Sequence, residues 1–573
     1  MKFILPILLV ITGMLIYSCA NQIPPTGGAK DTIPPTLLSS QPHHKSINYK
    51  GQEFRLQFDE RINADKIKQN LIITPFTENN YTFKTKKNEL TITFENAFDS
   101  LTTYTLNFAD GVTDITEKTP AVNLSLAFST GPIIDSIFVA GKTIDLYNNE
   151  PLQKILIAIF DANDTLDILT GKPKYFAKTN EEGEFRIENI KNGFYKIYAF
   201  EDDNNNMINE PEEEIHAFLS DSIDLNNSMD SILLRLQLLD TRPLKFNRGK
   251  YTGIYYDLTY NKYIQNYTIQ QIHNPKKLSL PKYNLIDDNT TIRFYYNNQF
   301  QYEKDSIGLI LTANDSLNNV TQDTVFLKFR SSKRKPTPFS YQLTPKNNTK
   351  IDNELHINLQ FDKPIIIHKL DSIQFQYDTL FFLPIPDSIM QWNDNFTQLS
   401  FTTELDPNFL KLKLDSLKPL YLDTTQTDTT KMIAYNYLNK IDTLKVSLTI
   451  PPNAFISVEY DSTKKFHNTY SFKKPDDYGM ISGTVTTLKT SYTLQLVKEN
   501  YDVIAQLRNV TNYSFRNVPP GKYTFRVLID SNTNGKWDYG NMQQKREPEP
   551  IFFYPEVFDV RANWQLDNID IEF

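Results

Sequence analysis

The sequence holds a single cysteine, Cys19, in 573 residues, so no disulfide can close within the chain. Its seven histidines are scattered, and no Cys/His cluster shows the spacing of a zinc site. Glycine is scarce at 18, with neither a Gly-rich phosphate loop nor a Gly-x-Ser-x-Gly elbow. Acids and bases are interspersed with a net charge of −8, and no basic stripe is present, which argues against nucleic-acid binding. Together these absences leave little for catalysis.

Aromatic residues are abundant instead, with 38 Phe and 32 Tyr, and a chain rich in Tyr, Phe, Thr and Ile favours strands. Hydrophobic residues make up 40% and charged residues 22%, so the chain can build cores. At 573 residues it is too long for one core, and about three to five domains are expected.

The stretch "MKFILPILLVITGMLIYSCANQ" carries one cation, Lys2, and then an apolar run from Phe3 to Tyr17. That run has the length of a signal-peptide core and is short for a membrane span. Leu15-Ile16-Tyr17-Ser18-Cys19 resembles a bacterial lipobox. The resemblance implies that residues 1–18 are a signal peptide and that Cys19 is lipidated. The alternative is an ordinary signal peptide that happens to contain a cysteine. Several acyl chains, at about 0.8 kcal/mol per buried methylene, anchor a protein stably where one chain does not. Residues 19–35, with two Pro-Pro pairs and Gly27-Gly28, read as a tether that is part stiff and part flexible. Ala20 stands where an inner-membrane retention signal has Asp, so the outer membrane is expected. No acidic run follows Cys19, and the sequence does not choose between the periplasmic and the surface face.

From Thr36 the pattern has period two. Phe54, Leu56 and Phe58 alternate with polar residues, as do Leu90, Ile92 and Phe94, then Tyr104, Leu106 and Phe108, then Leu124, Leu126 and Phe128. Such alternation predicts half-buried strands of a β-sandwich. The Asp31-x-x-Pro-Pro start, Phe58-Asp59-Glu60, "YTLNF" and the closing "FSTG" resemble the SbsA-type bacterial Ig-like domain. The resemblance implies a structural or binding module with no catalytic residues. A parallel stretch recurs at 341–365, where Leu355, Ile357, Leu359 and Phe361 alternate and Phe361-Asp362 repeats Phe58-Asp59. This copy also holds a polar stretch, "LDTTQTDTTK" at 422–431, that reads as an exposed loop. Strand patterns between the copies predict a further Ig-like sandwich.

A second repeat pairs residues 183–206 with 513–534. Both contain Phe-Arg, Asn, Gly-x-Tyr, an alternating strand and then an Asp/Asn-rich loop. They resemble the carboxypeptidase-regulatory-like or Cna protein B-type domain, a small prealbumin-like sandwich. The reading is therefore an all-β tandem array of Ig-like and prealbumin-like β-sandwiches. The expected modules are 36–131 (SbsA-type Ig-like), 132–239 (B-type), 240–335 (Ig-like), 336–475 (a second SbsA-like Ig domain) and 476–573 (a second B-type).

The two Asp/Asn loops are the candidate metal sites. In "DSNTNGKWD", Asp530, Asn532 and Asn534 take positions 1, 3 and 5 of a calcium loop, Gly535 position 6 and Asp538 position 9, but Asn541 replaces the Glu of position 12. In the earlier loop Asp202, Asn204 and Asn206 take positions 1, 3 and 5, Glu210 position 9 and Glu213 position 12, while Met207 replaces the Gly. Weak Ca2+ binding is one reading. The other is a turn that selects Asp and Asn for their own hydrogen bonding and needs no ion. No cofactor is required by either. Asp59-Glu60 is no glycosidase pair, because neighbours on a strand point to opposite faces. The expected function is a non-catalytic envelope lipoprotein, membrane-bound through its lipid, serving as spacer, scaffold or protein-binding array. The alternative is a glycan-binding lipoprotein of a nutrient-uptake system, for which only Trp392, Trp537 and Trp564 are available as tryptophan platforms and Tyr could substitute.

Overall fold

Alternation along the chain becomes alternation across sheets. In the computed structural model of the protein, strand Glu53–Phe58 buries Phe54, Leu56 and Phe58 and exposes Glu53 and Arg55. The structure describes residues 32–573, except 253, 275, 297–299, 302–303, 332, 334, 378–380 and all but a few positions from 407 to 444. The expected signal peptide, Cys19, most of the expected tether and the 422–431 stretch lie outside the described residues.

The chain is a tandem array of β-sandwiches, with five separate clusters of buried side chains among the described residues. It divides into two compact units. Of the described residues, one takes those up to 145 together with 150–210 and 214–237, and the other takes those of 146–149, 211–213 and 238–573. Among the described residues no helix is long and apolar enough to cross a membrane.

In the first unit, one antiparallel sheet orders Leu37–Gln41, Glu53–Phe58, Glu89–Phe94 and Tyr81–Lys86, and a second orders Ile72–Thr74, Thr103–Asn107 and Ser125–Ser129. Their inner faces share an aromatic core in which Phe54 lies 5.0 Å from Phe128 and 5.9 Å from Phe98. Such ring pairs add about 0.5–1.5 kcal/mol beyond the area they bury. The following sandwich pairs Ile137–Asp145 antiparallel with Glu184–Ile190 and parallel with Met229–Leu236. Its other sheet orders Tyr175–Lys178, Leu156–Asp161, Gly193–Phe200 and His216–Phe218, with Ile223–Leu225 also on Gly193–Phe200. The two modules are hydrogen-bonded to each other: Asn189 Nδ2 donates to Thr105 Oγ1 at 2.8 Å, and the Phe76 N–H to the Lys174 carbonyl at 2.6 Å.

The second unit holds three cores. Its last sandwich repeats the strand order just described: Gly479–Thr486 lies between Asn512–Val518 and the parallel short strands Gln565–Leu566 and Ile571–Glu572. Val503–Arg508, Tyr492–Lys498, Gly521–Ile529 and Ile551–Phe553 form the facing sheet, with Phe558–Val560 as its offshoot. The parallel pairing explains two glycines. A Cβ on Gly141 would stand 2.0 Å from the Ile232 carbonyl oxygen, and one on Gly483 2.0 Å from that of Ile569.

Candidate functional site: a repeated Asp/Asn loop

Each small sandwich ends a central strand, Gly193–Phe200 or Gly521–Ile529, in one of the Asp/Asn loops. Both loops turn by the same devices. The Asn206 N–H donates to Asp202 Oδ1 at 3.0 Å and Asn204 Oδ1 at 2.9 Å, and the Asn534 N–H to Asp530 Oδ1 at 3.1 Å and Asn532 Oδ1 at 2.9 Å. Position 4 is left-handed in both, Asn205 at φ 58° and Thr533 at φ 56°. Position 6 is left-handed too, and here Met207 (φ 65°) adopts what Gly535 (φ 89°) adopts without a side chain. Replacement of the glycine therefore did not change the turn.

The Asn carboxamides converge on the acid at position 9. Asn206 Nδ2 donates to Glu210 at 2.8 Å and Asn204 Nδ2 at 3.3 Å, while Asn532 and Asn534 reach Asp538 Oδ2 at 2.7 and 2.6 Å. Asp202, Asp530 and Asp538 are buried, whereas Asn204, Asn532 and Asn534 are exposed.

One more acid completes each loop, and sequence spacing missed both. Glu214 accepts the Asp203 N–H at 3.2 Å and the Glu210 N–H at 2.8 Å. Glu549 accepts the Ser531 N–H at 2.8 Å and the Asp538 N–H at 2.8 Å. The same backbone positions, 2 and 9, are gripped in both. The acid stands 4 residues past position 9 in one loop and 11 in the other, so no fixed spacing could reveal it. Glu213, expected at position 12, is exposed; Glu214 turns inward in its place.

The electrostatics differ between the loops. Burial opposes the charge of Asp530, but bonds from the Ser491 hydroxyl and the Gly535 and Asn534 N–H groups hold its carboxyl below the usual range. Burial likewise opposes Asp538, and the Asn532 and Asn534 amides with nearby Lys536 pull its carboxyl down. Glu214 goes the other way: burial, with the Glu210 carboxylate beside it, pushes it up to about 7 against the pull of two backbone N–H bonds. Among the described residues no group of three His, Cys, Asp or Glu side chains is arranged to hold a metal ion.

The Phe-Asp repeat is structural in both places where it occurs. Asp59 Oδ1 accepts the Thr36 N–H at 2.8 Å, and Asp362 accepts the Ser340 N–H at 3.0 Å and the Ser340 hydroxyl at 2.8 Å. Each Asp thereby ties the end of a long core strand to the start of the strand beside it. Residues 31–130 match the Bacterial Ig-like domain. No curated protein matches the chain. Among solved structures, the chain is similar to BcpA, the major pilin subunit of Bacillus cereus, at 9% identity over 76% of this chain and 99% of that one, with a TM-score of 0.13. It is also similar to the human desmocollin-1 ectodomain, at 9% identity over 90% and 92%, with a TM-score of 0.14. Superpositions this loose carry no functional argument, and the fold stands on the sheets themselves.

Outside the bacterial Ig-like domain, the tryptophans read differently than the sequence implied. Trp392 packs on the core, 5.8 Å from Phe361 and 5.5 Å from Phe396, and is no exposed platform. Trp537 donates its Nε1–H to the Glu549 carbonyl at 3.0 Å, serving the loop. Trp564 alone is half exposed, at 51%, with the Arg561 guanidinium 4.8 Å from its ring centre.

Sequence reading also missed a buried ion cluster in the second unit. Lys363, with a side chain 1% exposed, places Nζ 2.6 Å from Glu459 Oε2 and 2.6 Å from Asp461 Oδ2, and donates to the Thr337 carbonyl at 2.5 Å. Tyr255, from the preceding sandwich, donates its hydroxyl to Glu459 Oε1 at 2.9 Å. Two modules are thus joined through Glu459.

Proposed function

We propose that the chain is a non-catalytic lipoprotein of a bacterial outer membrane, whose tandem sandwiches act as a spacer, scaffold or binding array for an envelope protein. The Ig-like modules are on this reading of SbsA type and the small ones of B type. The observation that carries the proposal is the succession of separate cores among the described residues whose neighbours, inside each compact unit, are joined by hydrogen bonds. Modules held in this way present fixed surfaces, as a scaffold requires. The carboxylates singled out in the described residues cap strands, grip loop N–H groups or pair with Lys363. Support for the anchor comes from the lipobox-like residues around Cys19 and the Pro/Gly tether behind them.

Metabolic labelling with a fatty-acid analogue tests the anchor. The wild type incorporates label and fractionates with membranes; Cys19→Ala takes up none and is released or stays as an uncleaved precursor. A processed Cys19→Ala protein that still sediments with membranes rules the anchor out. Crosslinking of the acylated protein in intact envelopes tests the array, and recovery of one specific envelope protein is the expected result. Binding on a glycan array, lost on replacing Trp564, would instead favour the glycan reading.

A further inference from the structure

Fourteen times in this chain an Asp is followed by Ser or Thr and then by Ile, Leu or Val. The hydroxyl residues stand at positions 32, 100, 136, 165, 222, 231, 306, 316, 324, 372, 379, 388, 416 and 443. Random order at the chain's own composition would give about one or two such tripeptides. Turn chemistry does not account for the excess. Asn bonds to its own backbone as Asp does and tolerates the same left-handed turns. Yet no Asn in the chain begins a run of Ser or Thr and then Ile, Leu or Val. Charge does not account for it either, since no Glu is followed by Ser or Thr at all.

Nor do the tripeptides share a place in the fold. Ser231 lies in strand Met229–Leu236 and Thr324 in strand Val320–Leu327, whereas Ser372 and Ser388 lie in short 3-10 turns. Ser136 and Ser222 each stand just before a strand, Ile137–Asp145 and Ile223–Leu225. Accessibility is what they share. Positions 379 and 443 fall outside the described residues; of the other twelve hydroxyl residues nine are exposed, three are half-buried and none is buried. The aliphatic residue that follows goes inward in many of them, and Ile232, Ile307, Leu317, Val325 and Ile373 are buried. A tripeptide repeated in unlike settings, with its hydroxyl accessible in each, serves something that reads the chain and not the fold.

We propose that these tripeptides are sites of O-linked glycosylation, recognised as Asp, then the Ser or Thr that takes the sugar, then an aliphatic residue. The donor is a sugar carried on a diphosphate. The hydroxyl oxygen bonds to the anomeric carbon, the bond from that carbon to the diphosphate oxygen breaks, and the diphosphate leaves with the electron pair. The hydroxyl proton passes to a base of the transferase. Electrostatics favours a sugar over a phosphate. A phosphoryl group would set about −1.5 to −2 charges beside each Asp, in a chain already at −8, and like charges repel there. A neutral sugar adds none. The inference stands apart from the lipid anchor and holds whether or not Cys19 is acylated.

Tandem mass spectrometry of the full chain purified from its native cells, with fragmentation that spares the side-chain linkage, tests the proposal. Sugar is expected on Ser and Thr of the tripeptides and none within 476–573, which holds no such tripeptide. Ser531 is the internal control, because it is exposed and follows Asp530 but precedes Asn532. Asp221 is exposed, and Asp221→Asn keeps the turn chemistry while breaking the tripeptide. Ser222 should then lose its sugar while Ser231 keeps its own, and Ser222→Thr should keep the modification. A chain with the mass of bare polypeptide, apart from processing and acylation at its N-terminus, overturns the proposal. So does phosphate in place of sugar, or sugar spread over Ser and Thr without regard to the tripeptides.

Discussion

The Tyr195 hydroxyl donates to the Lys191 carbonyl oxygen at 2.8 Å, closing the turn that leads into strand Gly193–Phe200. In the last sandwich, Tyr523 makes the same bond to Pro519 at 2.8 Å. Both rings are 2% exposed. The bond fixes the turn while the ring fills the core beneath it. Tyr195→Phe and Tyr523→Phe keep the ring and lose the bond, so each should cost about 1 kcal/mol in its own unit. Urea unfolding followed by circular dichroism measures this, and a loss in one variant only would mean that the two turns are not equivalent.

The Lys363 cluster gives a larger effect. Removing one partner of a buried ion pair strands the other, at about 3–5 kcal/mol, and Lys363→Ala should lose that much. Burial opposes the ammonium charge, but the bonds to Asp461 and Glu459 more than offset it and hold Lys363 above its ordinary value. For a raised lysine the sign is fixed: the stabilisation is complete below the unfolded value near pH 10.5 and fades as pH rises through the higher folded value. Unfolding midpoints of the wild type should therefore fall on the alkaline side, and Lys363→Ala should flatten that limb. An unchanged limb counts against this cluster as its source.

Met207 holds a left-handed backbone that costs an L-residue about 1–2 kcal/mol. Met207→Gly relieves that strain, less the extra freedom glycine has when unfolded, and should stabilise the first unit by up to about 1 kcal/mol. Gly535→Ala should destabilise the second by a similar amount. Differential scanning calorimetry reads both, and opposite signs are the expected pattern.

Gly141→Ala and Gly483→Ala place a methyl group where a carbonyl oxygen of the parallel neighbour already lies, 2.0 Å away. The strands must part, at a cost of about 1–3 kcal/mol or more. Limited proteolysis should cut each variant within the affected sandwich. A variant as resistant as the wild type would mean that the parallel pairing is looser than it looks.

Local pattern settled much of this protein. Period-two alternation placed strands such as Glu53–Phe58 and Glu354–Phe361 because a strand's two faces meet different solvents, and that difference is written residue by residue. The Gly-x-Tyr repeat likewise puts Tyr195 and Tyr523 at equivalent places of the two segments, and both are buried there. Loop positions 1 to 6 were legible for the same reason, since Asp and Asn bond to backbone groups only two to five residues away.

What the sequence withheld depends on contacts distant along the chain. Glu214 and Glu549 do the same work at different spacings, because the chain returns to each loop by a different route. Parallel pairing of Ile137–Asp145 with Met229–Leu236 brings together segments that share no local signal. Trp392 and Lys363 look like surface residues in the sequence, since hydropathy cannot tell an exposed ring from one stacked on Phe361, or a solvated ammonium from one enclosed by Glu459 and Asp461. Only the packing of one strand against another decides which neighbours a side chain meets, and those neighbours decide what it does.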